Sequence, residues 1–373
     1  MAEKQVQFGR RLLAWYDAHR RALPWRTPPG GQFPDPWHVL VSEIMLQQTT
    51  VVTAEPYFRR FIARFPTAAD LAGSDEQEVL RLWQGLGYYA RARNLRAAAI
   101  RILADFAGHV PRGADDLLSL PGVGRYTAGA VGSLAFGQRV PIVDANVARV
   151  LCRLDRIESD PRTPATQRRL WERAAEILPR KRVGDFNSAL MELGAIVCRP
   201  RNPLCGQCPL NHICRAFADD VQNDIPAPRP PKEKPRLQRR VYCVRDGNRW
   251  LIEQRPLDGR WGGMWQFLTI PADHEPGADE SPKTSTGRVS QPAHSLTRLL
   301  GVPVGAPRLI GSVDHQLSHR QYHFDVYLCQ IRKVAKGRAV SSPTRRWVTW
   351  EELGNYPKPR PHVEIAGMVR EIG

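Results

Sequence analysis

Asp115-Asp116-Leu117-Leu118-Ser119-Leu120-Pro121-Gly122-Val123-Gly124-Arg125-Tyr126-Thr127-Ala128 is the stretch from which the rest of the chain can be read. It spells a helix, a tight turn and a second helix. Pro121 ends the first helix, because proline donates no backbone hydrogen bond and pushes the residue before it out of helical geometry. Gly122 and Gly124 permit positive φ and a close approach of backbone to a ligand. The N–H groups that open the second helix then point outward, where they can bind an anion such as a phosphate. A two-glycine turn between helices can also be purely structural.

Charge favours the phosphate. The 373 residues carry 54 Lys and Arg against 37 Asp and Glu, a formal charge of +17. Such an imbalance points to a polyanionic partner, nucleic acid first, ahead of a basic surface kept for solubility. In that setting the stretch is a helix-hairpin-helix, which holds nucleic-acid backbone through Gly122, Val123 and Gly124 without reading sequence. A composition of 42% hydrophobic and 24% charged residues excludes a collagenous or wholly disordered chain. There is no run of eighteen apolar residues, and 1–11 lacks the features of a secretory signal. No membrane partner is expected, and a cytoplasmic location is, nucleoid-associated if the source is bacterial.

Outward from the hairpin, apolar residues recur at helical spacing from Phe8, Leu12, Trp15 and Tyr16 to about residue 217. An all-α domain is therefore expected over 1–222. Residues 223–239 concentrate proline and charge, as an extended connector does. Residues 240–373 read as a smaller α+β domain, with β-type runs at 241–244, 250–254, 265–270, 322–330 and 347–350 and a helix over 292–300. The polar stretch 273–290 reads as a surface loop.

Cys198, Cys205, Cys208 and Cys214 give the pattern C-x6-C-x2-C-x5-C, directly after a helix expected over 186–197. Structural zinc usually takes two C-x2-C pairs. One short pair flanked by lone cysteines suits a 4Fe-4S cluster better, with zinc as the alternative. Cys152, Cys243 and Cys329 are expected to be buried thiols. Between the first two ligands, Arg199-Pro200-Arg201-Asn202-Pro203-Leu204 is a prolyl-stiffened loop. It either presents Arg199 and Arg201 to phosphates or leaves them solvated on a metal-stapled loop.

Glu43 sits in Val39-Leu40-Val41-Ser42-Glu43-Ile44-Met45-Leu46, which is otherwise nearly all apolar. A desolvated carboxyl has a raised pKa and can act as an acid near neutrality; the alternative is a helix glutamate that faces water. Asp144 begins a helical run and reads as an N-cap, a position that holds an ionised carboxylate rigidly. A protonated carboxyl paired with an ionised one is the arrangement that cleaves glycosidic bonds. General acid catalysis supplies roughly 3 to 5 kcal/mol, whereas enzymes need about 8 or more. A second, charge-stabilising group is expected, and Asp144 is the candidate.

Three further segments, Leu23-Pro24-Trp25-Arg26, Val41-Ser42-Glu43-Ile44-Met45-Leu46-Gln47-Gln48-Thr49 and Gly85-Leu86-Gly87-Tyr88-Tyr89-Ala90-Arg91, complete the pattern. With hairpin, Asp144 and the cysteines in this order, the chain resembles the endonuclease III superfamily of DNA glycosylases and, within it, the MutY family of adenine DNA glycosylases. The resemblance implies a monomeric, monofunctional enzyme of base excision repair that removes adenine opposite 8-oxoguanine or guanine in duplex DNA. It also implies that 240–373 is a Nudix-like lesion-recognition domain. Glu43 would protonate the departing adenine at N7, and Asp144 would stabilise or trap the sugar cation. Tyr126 and Asn146 would support them. Trp25, Leu46 and Ser188 would line the adenine pocket. Arg26, Gln48, Thr49, Leu86 and Tyr88, with Ser318 and His319, would contact the DNA or the base opposite. Wedging side chains offset part of the few kcal/mol needed to flip a base. Tyr126 stands where strand-cutting relatives carry Lys, and a phenol cannot form a Schiff base.

The chain departs from that family at several points. Ala145 replaces a usual Gly, Ser188 a usual Gln or Glu, and Leu317 the aromatic of a Phe-Ser-His loop. The expected helix carries no carboxylate in 295–300, so nucleotide hydrolysis is not expected there. Two other readings compete: a glycosylase of the same fold excising thymine or a damaged base, and a non-catalytic lesion-binding iron-sulfur protein. The presence of both Glu43 and Asp144 weighs against the latter.

Overall fold

Several helix starts in this chain are set by side-chain caps. The structure is a computed structural model that describes residues 2–26, 33–227, 233–272, 292–331 and 342–372; the stretch 273–290 expected as a surface loop lies outside these. After α1 (Ala2–His19), α2 (Pro36–Leu46) begins where Asp35 accepts the N–H groups of Trp37 and His38 at 2.7 and 3.2 Å, with Pro36 in the first turn. Thr50 and Thr67 cap α3 (Val51–Arg64) and α4 (Ala68–Ala72), the latter through a reciprocal capping box with Asp70. Helices α5 (Glu76–Trp83), α6 (Ala90–Asp105), α7 (Ala114–Ser119), α8 (Arg125–Phe136), α9 (Ala145–Asp155), α10 (Pro164–Ile177), α11 (Val183–Ile196) and α12 (Arg215–Ala218) follow. Among the described residues no helix is long and apolar enough to cross a membrane.

The chain forms two compact units, 1–73 with 94–230 and 74–93 with 231–373. In the first, α1, α9, α10, α11 and α12 enclose a core that includes Phe8, Leu12, Tyr16, Val147, Leu151, Leu170, Phe186 and Leu190. Helix α2 packs against α3 and α8, and every residue of 39–45 is buried. A helix apolar on all sides is an interior helix, so it carries Glu43 inside with it. Helix α11 lies close against α9 because residue 194 has no side chain: a Cβ added at Gly194 would stand 2.6 Å from the Cβ of Asn146.

In the second unit β1 (Arg236–Asp246), β2 (Arg249–Gln254), β3 (Trp265–Pro271), β4 (Arg308–Gln316), β5 (Gln321–Gln330) and β6 (Arg345–Thr349) form one sheet in the order β4-β5-β1-β3-β2-β6. Strands β1 and β5 are parallel, and the other neighbours are antiparallel. Alternation along β1 supplies two cores. Val241 and Cys243 join Phe267 and Phe324 under Ile365 and Val369 of α14 (Arg360–Ile372). Tyr242 and Val244 join Leu268 under Leu296 and Leu300 of α13 (Pro292–Leu300). Segment 74–93 is tied into this unit by Gln77 Nε2 to the Gly263 carbonyl (3.2 Å), Trp265 Nε1 to Gln77 Oε1 (3.0 Å) and Lys358 N to Gln84 Oε1 (2.8 Å).

The α+β expectation holds, with two elements added. Strand β4 escaped notice because Val313 is its one fully buried residue, as befits an edge strand. Helix α14 follows Pro357 and Pro359 and holds Pro361 in its first turn, where proline is tolerated. Strand β1 begins at Arg236, inside the span read as a connector, where it pairs with β5.

Candidate active site

Glu43 is 5% exposed on α2. Burial raises its pKa to about 7, aided by the charge of Asp144 and opposed by a hydrogen bond from Tyr126 and the charge of Arg26. Tyr126 is the second residue of α8, and its hydroxyl also lies 3.1 Å from Met191 Sδ. Burial and then the charges of Glu43 and Asp144 push its pKa well above 10, so the phenol stays a neutral donor.

Asp144 caps α9. One carboxylate oxygen accepts the Val147 N–H at 2.7 Å and the other accepts Asn146 Nδ2 at 3.1 Å. Burial raises its pKa from the ordinary value, while these bonds and the charge of Arg149 oppose the rise. Two carboxyls thus stand in unlike settings, one short of donors and the other supplied with them.

Both line one cavity of about 2040 Å³, with Trp25, Arg26, Leu46, Gln48, Thr49, Tyr126, Asn146, Ser188 and Arg201. Trp25 is buried and braced edge-on by Phe58 at 5.1 Å. Gln48 is exposed where α2 gives way to α3 and holds a left-handed φ of 59°, a strained conformation for a residue with a side chain.

The hairpin glycines and Arg199 do not line that cavity. Gly122 has φ 79°, and a Cβ there would meet Asn94 Cβ at 2.8 Å. Gly124 is the N-cap of α8, gives it no side-chain cap, and a Cβ added there would meet nothing within 4 Å. Val123 is buried, so it offers only its backbone.

The cysteine loop follows α11. The thiols of Cys205, Cys208 and Cys214 are pushed up by burial and by the charge of neighbouring cysteines, the pKa of Cys208 to about 12. Metal in place of the protons relieves that mutual repulsion. Arg153, buried on α9, aims Nη1 at Cys198 Sγ (3.3 Å) and also donates to the Arg199 and Pro200 carbonyls. A donor directed at sulfur suits a thiolate ligand. Among the described residues no three His, Cys, Asp or Glu side chains gather as a single-ion site. Four thiols on one short loop, one of them met by a buried guanidinium, fit a thiolate-held cluster.

In the second unit Leu86 is 6% exposed, whereas Tyr88 is 47% exposed with φ 49°. The Tyr88 hydroxyl lies 2.8 Å from Ser318 Oγ. Ser318 and His319 occupy a turn closed by the Leu317 N–H on the Arg320 carbonyl at 2.8 Å. Partial desolvation and then Arg260 and Arg320 lower the pKa of His319. Tyr322 is buried, its hydroxyl accepting from Arg260, and so belongs to the sheet.

Three family models match: "HhH-GPD superfamily base excision DNA repair protein" over 41–176, "Iron-sulfur binding domain of endonuclease III" over 198–214 and "NUDIX domain" over 240–367. The adenine DNA glycosylase of Rattus norvegicus is 35% identical over 93% of this chain and 75% of its own length. That of Homo sapiens is 36% identical over 92% and 70%. This chain belongs to the adenine DNA glycosylase family. The glycosylase is also similar to the solved structure of a thermostable thymine-DNA glycosylase, which is 32% identical with a TM-score of 0.53 over 58% of this chain and 98% of that one.

The glycosylase carries a 4Fe-4S cluster, and the matched iron-sulfur stretch begins and ends on Cys198 and Cys214. Sequence reasoning missed Arg149, whose guanidinium donates to Asn146 Oδ1 and to the carbonyls of Gly194 and Cys198, all at 2.8 Å. It missed Met191 and Glu192 as well. Glu192 did have a signal, since it stands alone among apolar residues of α11 as Glu43 does on α2.

Proposed function

We propose that this glycosylase removes adenine paired with 8-oxoguanine or guanine from duplex DNA and leaves an abasic site. The observation that carries the reading is that Glu43, with a pKa near 7, and the capped carboxylate of Asp144 line one cavity. In the proposed reaction Glu43 gives its proton to N7 of the flipped adenine. The C1′–N9 bond breaks, its electron pair leaving with the purine. Asp144 meets the positive charge at C1′, as an ion pair or a covalent ester. Water then adds at C1′ and returns its proton to Glu43.

Tyr126 supplies no amine for strand cleavage. Exposed Tyr88 and Ser318, bonded to each other, are the proposed readers of the base opposite, and Gln48 is the proposed wedge. Cys198, Cys205, Cys208 and Cys214 are the proposed ligands of the cluster, whose iron–thiolate bonds would fix the loop bearing Arg199 and Arg201.

The likeness to a thymine-DNA glycosylase and the short Ser188 in the base pocket favour a second reading, excision of thymine. The adenine enzymes match more of the chain, 92 to 93% against 58%. Base release from duplexes that each hold one defined mispair separates the two readings. Free adenine from pairs with 8-oxoguanine is expected, and release of thymine alone would reverse the assignment.

A further inference from the structure

Glu192 is 1% exposed in the apolar run Ala189-Leu190-Met191-Glu192-Leu193-Gly194 of α11. A charge so placed is costly unless fully paired. Its Oε1 accepts Arg21 Nε at 2.6 Å and the Arg21 backbone N–H at 3.2 Å. Its Oε2 accepts Arg21 Nη2 at 3.0 Å and Arg26 Nη2 at 2.8 Å. Arg26 has a second anchor, Nη1 on the Arg21 carbonyl at 3.1 Å. Arg21, Arg26, Glu192 and Glu43 all line the same cavity. Ser188, one turn earlier on α11, brings no charge to it.

We infer that Glu192 is a positioning residue for base release: it fixes Arg26 beside Glu43 and cancels enough of that cation's charge for Glu43 to reach the base still protonated. The charged and titratable groups facing Glu43 are Tyr126 from α8, Asp144 from the cap of α9 and Arg26 from the segment before α2. Those facing Glu192 are Arg21 and Arg26. An unscreened cation in a partly buried wall favours the carboxylate form of its neighbour. Loss of the Glu192 charge leaves the Arg26 cation uncompensated on the wall it shares with Glu43. Glu192 touches neither base nor sugar in this scheme.

The inference rests on the proposed release of adenine, and single-turnover rates across pH test the two separately. For Glu192→Gln the alkaline fall in rate should move toward acid by roughly one pH unit. The rate at low pH, where Glu43 is protonated in either protein, should stay close to that of the parent. For Arg26→Gln the fall should move the other way, and adding Glu192→Gln to it should produce a smaller displacement. A Glu192→Gln profile superimposable on the parent, or lowered equally at every pH, would refute the positioning role. If Glu192→Gln does not fold, an unmoved profile in Arg26→Gln refutes it instead. Failure of the parent to release adenine at any pH would instead defeat the proposed function.

Discussion

Ionising Glu43 inside α2 opposes folding, and the chemistry proposed for it depends on the same burial. The folded pKa is about 7 against an ordinary 4.5, so the protonated form is favoured by the fold. The stability this gives is complete below the ordinary value and is lost as pH rises through the folded one. At about 1.4 kcal/mol per unit, the loss is on the order of 3.5 kcal/mol above neutrality. Glu43→Gln should therefore raise the melting temperature at mildly alkaline pH while base release falls by at least about 10²-fold. Thermal melts beside single-turnover assays check both. Asp144→Asn keeps a good N-cap, so it should cost under about 1 kcal/mol in stability yet abolish most of the activity. A variant that lost both equally would make Asp144 a structural cap only. Both carboxylates were legible in the sequence, Glu43 from its apolar neighbours and Asp144 from its place before a helix. Glu192 had the signature of Glu43, but only the fold shows which cations meet it. The contact of Tyr126 with Met191 crosses from α8 to α11, and no local pattern encodes that.

The hairpin illustrates how far local chemistry carries. Its two glycines, the proline and the small-residue helix were enough to place it, because φ 79° at Gly122 is a backbone requirement that the sequence displays directly. Gly122→Ala faces both that φ and the Cβ of Asn94 at 2.8 Å. It should lose about 1 to 3 kcal/mol of stability and weaken binding to undamaged and mispaired duplexes alike, as a backbone contact does. Equal melts and equal binding for the variant would remove the hairpin from the interface. Where elements depend on distant partners the sequence was silent. Strand β4 is largely exposed and exists through its ladder with β5, and α14 is defined by the face it lays on the sheet.

The two units should respond differently to acid. His362 of α14 is fully buried, and its Nδ1 has no hydrogen-bond partner among the described residues. Burial, then the charges of Arg255 and Lys358, lower its pKa to about 3 from 6.5. The neutral ring's contribution to stability is complete above the higher value and declines as pH falls toward the lower one. On acidification, unit 74–93 with 231–373 should lose its near-ultraviolet tryptophan signal before the iron-sulfur absorbance of the first unit is lost. The reverse order would discount His362. With a charge of +17 on the chain, affinity for duplex DNA should fall steeply with added salt. What joins these properties is the proposed acid and anion in one cavity, and the pH dependence of adenine release under single-turnover conditions, with and without Glu43→Gln, examines that pairing most directly. The rate should hold level on the acid side of about pH 7 and fall beyond it, and the Glu43→Gln protein should bind the mispair yet release almost nothing. Unimpaired release by that variant, or a rate that climbs through the same pH range, would contradict the assignment of Glu43 as the acid.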